Sequence, residues 1–314
     1  MKATNLIAAL FILAPSAAGA QVAIGTISGS TSYAAVSGYV AYLDLRSKQF
    51  TPVVTQLSTT CREAGDGQVS LLPTGMFQKH YDTLLAITAN SGPGRDSYVT
   101  GSCGVADGLI ISDSNLVNPG QTNGPVLYFT SNKRATITSE PVPAKTVRWA
   151  VAGSTSTNND CSDLYQIGTL LVNKGMPGAC AIPKSTVVAP RGAVGIDGSG
   201  STLIIAVVAG AEGTSGLTTA DSALLMIGLG AVGAVNFDGG GSTTFYWTPS
   251  GAQMPTLSAK LADMLHNARF PRGQANPNNL AFSVTLQDPT RELTSDADHR
   301  PIYASFGLTY QREP

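Results

Sequence analysis

The stretch of this chain with the most chemical potential is AVNFDGGGSTTF, residues 234–245, where an apolar run delivers one carboxylate, Asp238, into three glycines and two hydroxyls. Glycine loses more backbone freedom on folding than any other residue. Gly239, Gly240 and Gly241 in a row therefore imply positive φ angles or a ligand lying against the main chain. Successive N–H groups in such a turn can form an anion-binding nest, with Ser242 and Thr243 adding hydroxyls at its rim. In that reading Asp238 sits beside bound phosphate and is driven toward its protonated form, the form a general acid requires. The competing reading is a tight β-turn in which Asp238 only shapes the turn. Composition weighs the two equally.

A second loop nearly repeats the first. Asp197-Gly198-Ser199-Gly200-Ser201-Thr202 precedes Asp238-Gly239-Gly240-Gly241-Ser242-Thr243 by 41 residues (238 − 197). Two strand-borne aspartates followed by glycine would suit a paired-carboxylate protease, but the Asp-Thr/Ser-Gly signature is absent and the spacing is too short for two lobes. Asp197 reads as a hairpin turn.

Such loops need strands to hold them. Period-two and apolar runs bounded by Gly, Ser and Asn predict strands over 22–27, 39–45, 52–57, 84–88, 107–112, 126–130, 134–137, 147–152, 168–172, 193–196, 203–208, 234–237 and 243–247. One helix is predicted over 218–230. Ala220, Ala223, Leu224 and Ile227 form its stripe, Thr218 and Asp221 its capping pair, and Gly230 its stop. A weaker helix is predicted over 257–267. Residues 153–160 read as a polar loop, no linker divides the chain, and the segment 288–314 reads as a polar C-terminal tail after a domain over 21–287.

Charge and compartment narrow the function. Nineteen Lys and Arg against twenty Asp and Glu give a net charge of −1 over 314 residues, which argues against nucleic acid. Charged residues are 12%, about half the usual share, while 43% hydrophobic residues supply a core and argue against a disordered chain. Residues 1–20 carry Lys2, an apolar run over 6–14 and the small-residue exit Ala18-Gly19-Ala20. That is the layout of a secretory signal peptide. The apolar run is shorter than a membrane span needs, and no later segment qualifies, so a secreted or periplasmic protein is expected. Four cysteines fit an oxidising compartment. Of three possible pairings, Cys161 with Cys180 and Cys61 with Cys103 is the one expected. His80, His266 and His299 do not cluster with them, which argues against zinc. No metal cluster is evident, and a lone structural Ca²⁺ site stays open.

PRGAVGID (190–197), GLTTADSALLMIGLGAVGAVNFDGGGSTTF (216–245) and AITAN (86–90) resemble the phosphodiester glycosidase family. Its hallmark is a helix bearing a Glu-Leu-Ala-like segment, then a strand ending Asn-hydrophobic-Asp-Gly-Gly-Gly-Ser-Thr-Thr. Asp221-Ser222-Ala223 and residues 236–244 match it here. The resemblance extends weakly to 107–118, 150–153 and 168–175, and covers about 80–285. It implies an α+β fold of mixed twisted β-sheets with few helices, no cofactor, and a glycan or glycosyl-phosphate substrate, for instance in an envelope polymer or exopolysaccharide. The implied reaction is hydrolysis of a sugar-1-phosphodiester to free sugar and a phosphomonoester.

By the same resemblance Asp238 is the catalytic carboxylate and Arg191 binds phosphate through its guanidinium fork. Asn90 donates to phosphate or a sugar hydroxyl, Asn236 orients Asp238, and Gly239, Gly240, Gly241, Ser242 and Thr243 cradle the phosphodiester. For the second carboxylate, Asp221, Asp197 and Glu212 are candidates in falling order. Two departures stand out. Asp221 replaces the family's Glu and is short enough to do no more than cap its helix. Pro93-Gly94-Arg95-Asp96 stands where an aromatic pair often follows the Asn90 turn. These departures motivate an alternative, a non-catalytic carbohydrate- or phosphate-binding envelope protein. A purely structural protein is the third reading.

Overall fold

The strand Thr202–Val208 shows how the sequence builds its layers. Leu203, Ile205 and Val207 belong to one core cluster, Ile204, Ala206 and Val208 to another, so this continuous apolar run is buried on both faces. The computed structural model describes residues 21–30, 35–47, 49–64, 68–92, 99–119, 125–143, 145–152, 170–178, 187–211, 213–247, 256–257, 281–286, 291–294 and 300–311. Within them Thr202–Val208 lies inside a nine-stranded sheet. Its order is Met176–Pro177, Leu170–Asn173, Gly233–Asn236, Arg191–Ile196, Thr202–Val208, Ala35–Asp44, Gln21–Ser30 and Thr256–Leu257, with Ala281–Leu286 also paired to Gln21–Ser30.

The helix Thr219–Gly228 covers one face of this sheet, packing Ala223, Leu224 and Ile227 with Tyr42, Ile204 and Ala206. Against the other face lie two five-stranded sheets. One orders Ala135–Thr138, Val126–Thr130, Val147–Ala152, Ile110–Ser112 and Asn115–Asn118. The other orders Arg291–Thr294, Thr244–Trp247, Leu85–Thr88, Ser305–Tyr310 and Phe50–Val54. Val194, Ile205 and Val235 of the long sheet share a core with Leu127, Phe129, Ile87, Phe245 and Phe306 of these two. The result is mostly antiparallel strands in several sheets with few helices, as the α+β expectation has it.

Every predicted strand has a counterpart among the described strands, but Val69–Ser70, Cys103–Gly104, Asn115–Asn118, Met176–Pro177, Thr256–Leu257, Ala281–Leu286, Arg291–Thr294 and Ser305–Tyr310 form where no strand is predicted. Two short helices, Thr59–Ala64 and Thr74–His80, have too little apolar periodicity to be legible. The residues after 288 differ most from expectation. Far from trailing off, Ser305–Tyr310 is paired on one side with Leu85–Thr88 and on the other with Phe50–Val54, with Phe306 and Leu308 wholly buried. Six residues of period-two pattern inside a polar stretch give a weak local signal, and long-range pairing makes the strand.

The disulfide Cys61–Cys103 is present, with Cα atoms 5.3 Å apart, and ties the helix Thr59–Ala64 to the two-residue strand Cys103–Gly104. Closing 42 residues removes unfolded-chain entropy worth about 4 kcal/mol. The expected signal peptide 1–20, the polar loop 153–160, Pro93-Gly94-Arg95-Asp96, Cys161, Cys180 and Glu212 lie outside the described residues. So does the helix expected over 257–267, apart from Leu257, which ends the short strand Thr256–Leu257. Among the described residues no helix is long and apolar enough to cross a membrane.

Candidate functional site

Asp238 stands where the chain crosses between sheets. Gly233–Asn236 belongs to the nine-stranded sheet and Thr244–Trp247 to the third sheet, so residues 237–243 must bridge the two. Phe237 N–H still donates to Gly192 O at 2.8 Å, Asp238 N–H then donates to Ala89 O at 2.8 Å, and Gly240 N–H to Pro190 O at 3.0 Å. A tight 3₁₀ turn follows, with Ser242 N–H on Gly239 O and Thr243 N–H on Gly240 O at 3.3 and 3.2 Å.

The crossing explains the glycines. Gly240 has φ +60°, the left-handed region. A Cβ on Gly239 would lie 2.9 Å from Pro190 O, and one on Gly241 would lie 2.8 Å from Nη2 of Arg300. The same bonds correct the idea of an open nest. The amides of Asp238, Gly240, Ser242 and Thr243 serve the crossing, and that of Gly239 bonds the Asp238 carboxyl. The loop holds its own carboxyl and leaves no row of amides for an anion.

Beneath the loop runs a chain of buried hydroxyls. Thr88 Oγ1 donates to Ser242 O at 2.6 Å, Thr74 Oγ1 lies 3.1 Å from Thr88 Oγ1, and Ser305 Oγ donates to Thr74 Oγ1 at 3.3 Å. Each hydroxyl has one proton. Thr88 spends its own on Ser242, so Thr74 must donate to Thr88, and the order Ser305, Thr74, Thr88, Ser242 is fixed.

Burial is the main influence on Asp238, which is 8% exposed. It pushes the carboxyl up from 3.8 to about 7. The hydrogen bonds with the Ser242 side chain and the Gly239 N–H, and the positive charge of Arg300, pull the other way, while the negative charge of Asp107 adds to the rise. Asp107 is half-buried and braced by the segment after Leu85–Thr88. Its N–H donates to Ser91 O at 2.7 Å, Ser91 Oγ donates to its Oδ2 at 3.2 Å, and Asn90 Nδ2 donates to its carbonyl at 2.5 Å. Residues 89–91 thus hold both aspartates, one through Ala89 and the other through Asn90 and Ser91. Tyr303 backs this segment: three of its ring carbons lie 2.6 Å from where a Cβ of Gly92 would be.

The structure brings together Asp238, Gly239, Gly240, Gly241, Ser242 and Thr243 as one loop, with Asn90 joined to it through Ala89 and Asp107. Asn90 is wholly buried, and its Oδ1 has no hydrogen-bond partner among the described residues. Asn236 is wholly buried on its strand opposite Ala193. Arg191 is 2% exposed, and its Nε and Nη2 donate to Leu217 O and Val187 O, both at 3.1 Å. Its guanidinium therefore braces the chain entering the helix. Asp221 completes a capping box: Oδ2 accepts from Thr218 N and Oγ1 at 3.2 and 2.7 Å, and its N–H donates to Thr218 Oγ1.

Two members of this cluster carry too little sequence signal to be found by pattern. Asp107 opens the block 107–118, and its only local signal is an aspartate before glycine at a strand edge. Arg300 lies in the polar stretch that reads as a tail and has no local signal at all. Among the described residues no group of three or more His, Cys, Asp or Glu side chains could hold a metal ion.

The phosphodiester glycosidase (NAGPA) family model matches residues 85–268. Among solved structures, the chain is similar to the catalytic domain of zebrafish N-acetylglucosamine-1-phosphodiester alpha-N-acetylglucosaminidase, auto-inhibited by its pro-peptide. That match has a TM-score of 0.58 at 16% identity and covers 95% of this chain and 85% of that one. A hypothetical protein from Synechocystis is similar with a TM-score of 0.54 at 12% identity, covering 92% of this chain and 62% of that one. No curated protein sequence matches the chain.

Proposed function

The chain belongs to the phosphodiester glycosidase family, and from that premise we propose that it is an exported hydrolase of sugar-1-phosphodiesters. The substrate is of the N-acetylglucosamine-1-phosphodiester kind, and the products are free sugar and a phosphomonoester. The observation that carries this reading is a buried carboxyl, Asp238, raised to about 7 and set beside the Arg300 guanidinium. The layout of residues 1–20 supports export.

The chemistry follows from charge. A phosphodiester is an anion, and an ionised Asp238 would repel it. Protonated Asp238 removes that repulsion and holds a proton for the oxygen that leaves C1. Phosphate is already a good leaving group, so stabilising its developing charge matters as much as the proton, and Arg300 is the cation placed to do so. Arg191, the cation expected from sequence, braces the chain entering the helix and carries Nη1 within 3.9 Å of where a Cβ of Gly239 would be.

The test is release of free sugar from a methyl phosphodiester of N-acetylglucosamine-1-phosphate and from UDP-N-acetylglucosamine. Release that is lost in Asp238→Asn supports the reading, and no release from either substrate counts against it. A second reading, binding without turnover, draws on the commitment of the Asp221 carboxylate to the helix cap. It requires phosphodiester binding by a wild-type protein that releases no sugar.

A further inference from the structure

We propose that Asp107 is the second catalytic carboxylate, the base that takes a proton from the attacking water. The proposal rests on the hydrolase reading above and deepens it. Breaking a glycosidic bond with water takes one carboxyl on the leaving-group side and one on the water side. Neither described candidate from the sequence fits the second post. Asp221 is wholly buried and its Oδ2 holds the helix cap. Asp197 lies past the far end of Arg191–Ile196, the strand whose near end meets the Asp238 loop through Pro190 and Gly192. Six residues of strand put it about 20 Å away.

Asp107 meets the requirements that these lack. It is half-buried, so water reaches it, while Asp238 is enclosed. The two differ in surroundings as an acid and a base must. Both are fastened to the same three residues, Ala89 on one side and Asn90 and Ser91 on the other, so their relative position is set by a single short segment. The negative charge of Asp107 reaches Asp238 through space. Inversion at C1 would set the attacking water between the two carboxyls. Cys103, four residues before Asp107, is pinned by the disulfide to Cys61, and the Tyr303 ring packs against the sites of Gly92 and Gly104.

The step balances. The water oxygen bonds to C1 as the bond from C1 to the phosphate oxygen breaks. The electron pair of that bond goes to the phosphate oxygen, which takes the proton of Asp238. The proton leaving the water goes to Asp107.

The experiment measures sugar release from the methyl phosphodiester by the full-length wild-type protein and by Asp107→Asn and Asp107→Ala, with and without sodium azide. The anomeric form of the product is read by NMR, and folding is checked by thermal unfolding. The expected loss in Asp107→Asn is about 10²–10⁴-fold with unchanged unfolding. Azide, standing in for the activated water, restores turnover of Asp107→Ala and yields a glycosyl azide, and wild-type product has inverted configuration. Asp107→Asn within tenfold of wild type, a folded Asp107→Ala that azide does not rescue, or retained configuration would each overturn the assignment. If both substitutions unfold the protein, Ser91→Ala serves, with kcat expected to fall several-fold and an unchanged kcat overturning the proposal. A wild-type protein that releases no sugar sinks the hydrolase reading, and the assignment with it.

Discussion

The loops 197–202 and 238–243 share five of six residues, DGSGST against DGGGST, and the fold uses them in opposite ways. The first closes on itself. Asp197 Oδ1 accepts from Ser201 N and Thr202 N at 3.0 Å, Oδ2 accepts from Ser199 Oγ at 2.8 Å, and Gly198 and Ser199 are exposed. The second also bonds its own carboxyl, through Gly239 N–H and Ser242, but it is anchored from outside as well, by Ala89, Pro190 and Thr88, and that carboxyl is enclosed. Asp197 joins two neighbouring strands of one sheet, so a hairpin turn suffices. Asp238 joins strands of different sheets, and the crossing buries it. Context, not local sequence, makes one aspartate an exposed turn residue and encloses the other.

The comparison is broken most strongly at the aspartates. Asp238→Asn should lower sugar release by about 10²–10⁴-fold, and Asp197→Asn should leave it unchanged. Their stabilities should also part with pH. The Asp238 carboxyl titrates at about 7 in the folded chain and near 3.8 unfolded, so its contribution is fully present below 3.8 and is lost as pH rises through about 7. Chemical denaturation across that window should show wild-type stability falling with pH and a shallower slope in Asp238→Asn.

Next come the glycines at the same position of each loop. Gly239→Ala drives a Cβ to 2.9 Å from a backbone carbonyl, whereas the nearest atom to a Cβ on Gly198 is Val232 Cγ1 at 3.7 Å. The first should cost about 1–3 kcal/mol of stability along with most of the turnover, the second under about 0.5 kcal/mol. Urea unfolding of the two variants checks this.

Arg300→Met should raise KM for the anionic diester roughly tenfold. Because Arg300 lowers the Asp238 pKa, its loss should also move the alkaline fall of the kcat profile to higher pH. The smallest effect is expected from Thr88→Val, which removes the donor to Ser242 O for about 1 kcal/mol and leaves the 197–202 loop untouched.

Much of this architecture is legible in the sequence itself. Apolar runs such as 203–208 announce strands because burial on both faces leaves them no polar alternation. Thr218 and Asp221 announce a helix start because the capping box is a local device. The glycines announce an unusual loop but not its purpose: amides expected to face an anion are spent on the crossing. Asp107, Arg300 and the strand Ser305–Tyr310 stay hidden because each acquires its place through partners far along the chain. The bonds from Arg191 to Leu217 O and Val187 O are hidden likewise, since these carbonyl partners carry no sequence signature.

The most direct test is the pH dependence of sugar release from the methyl phosphodiester across a range spanning 7, for the wild-type protein beside Asp238→Asn and Asp197→Asn. Release that falls as pH rises through about 7 in wild type and Asp197→Asn alike, and is absent from Asp238→Asn throughout, is the predicted result. A profile flat through 7, or an Asp238→Asn protein that still releases sugar at the wild-type rate, would contradict it.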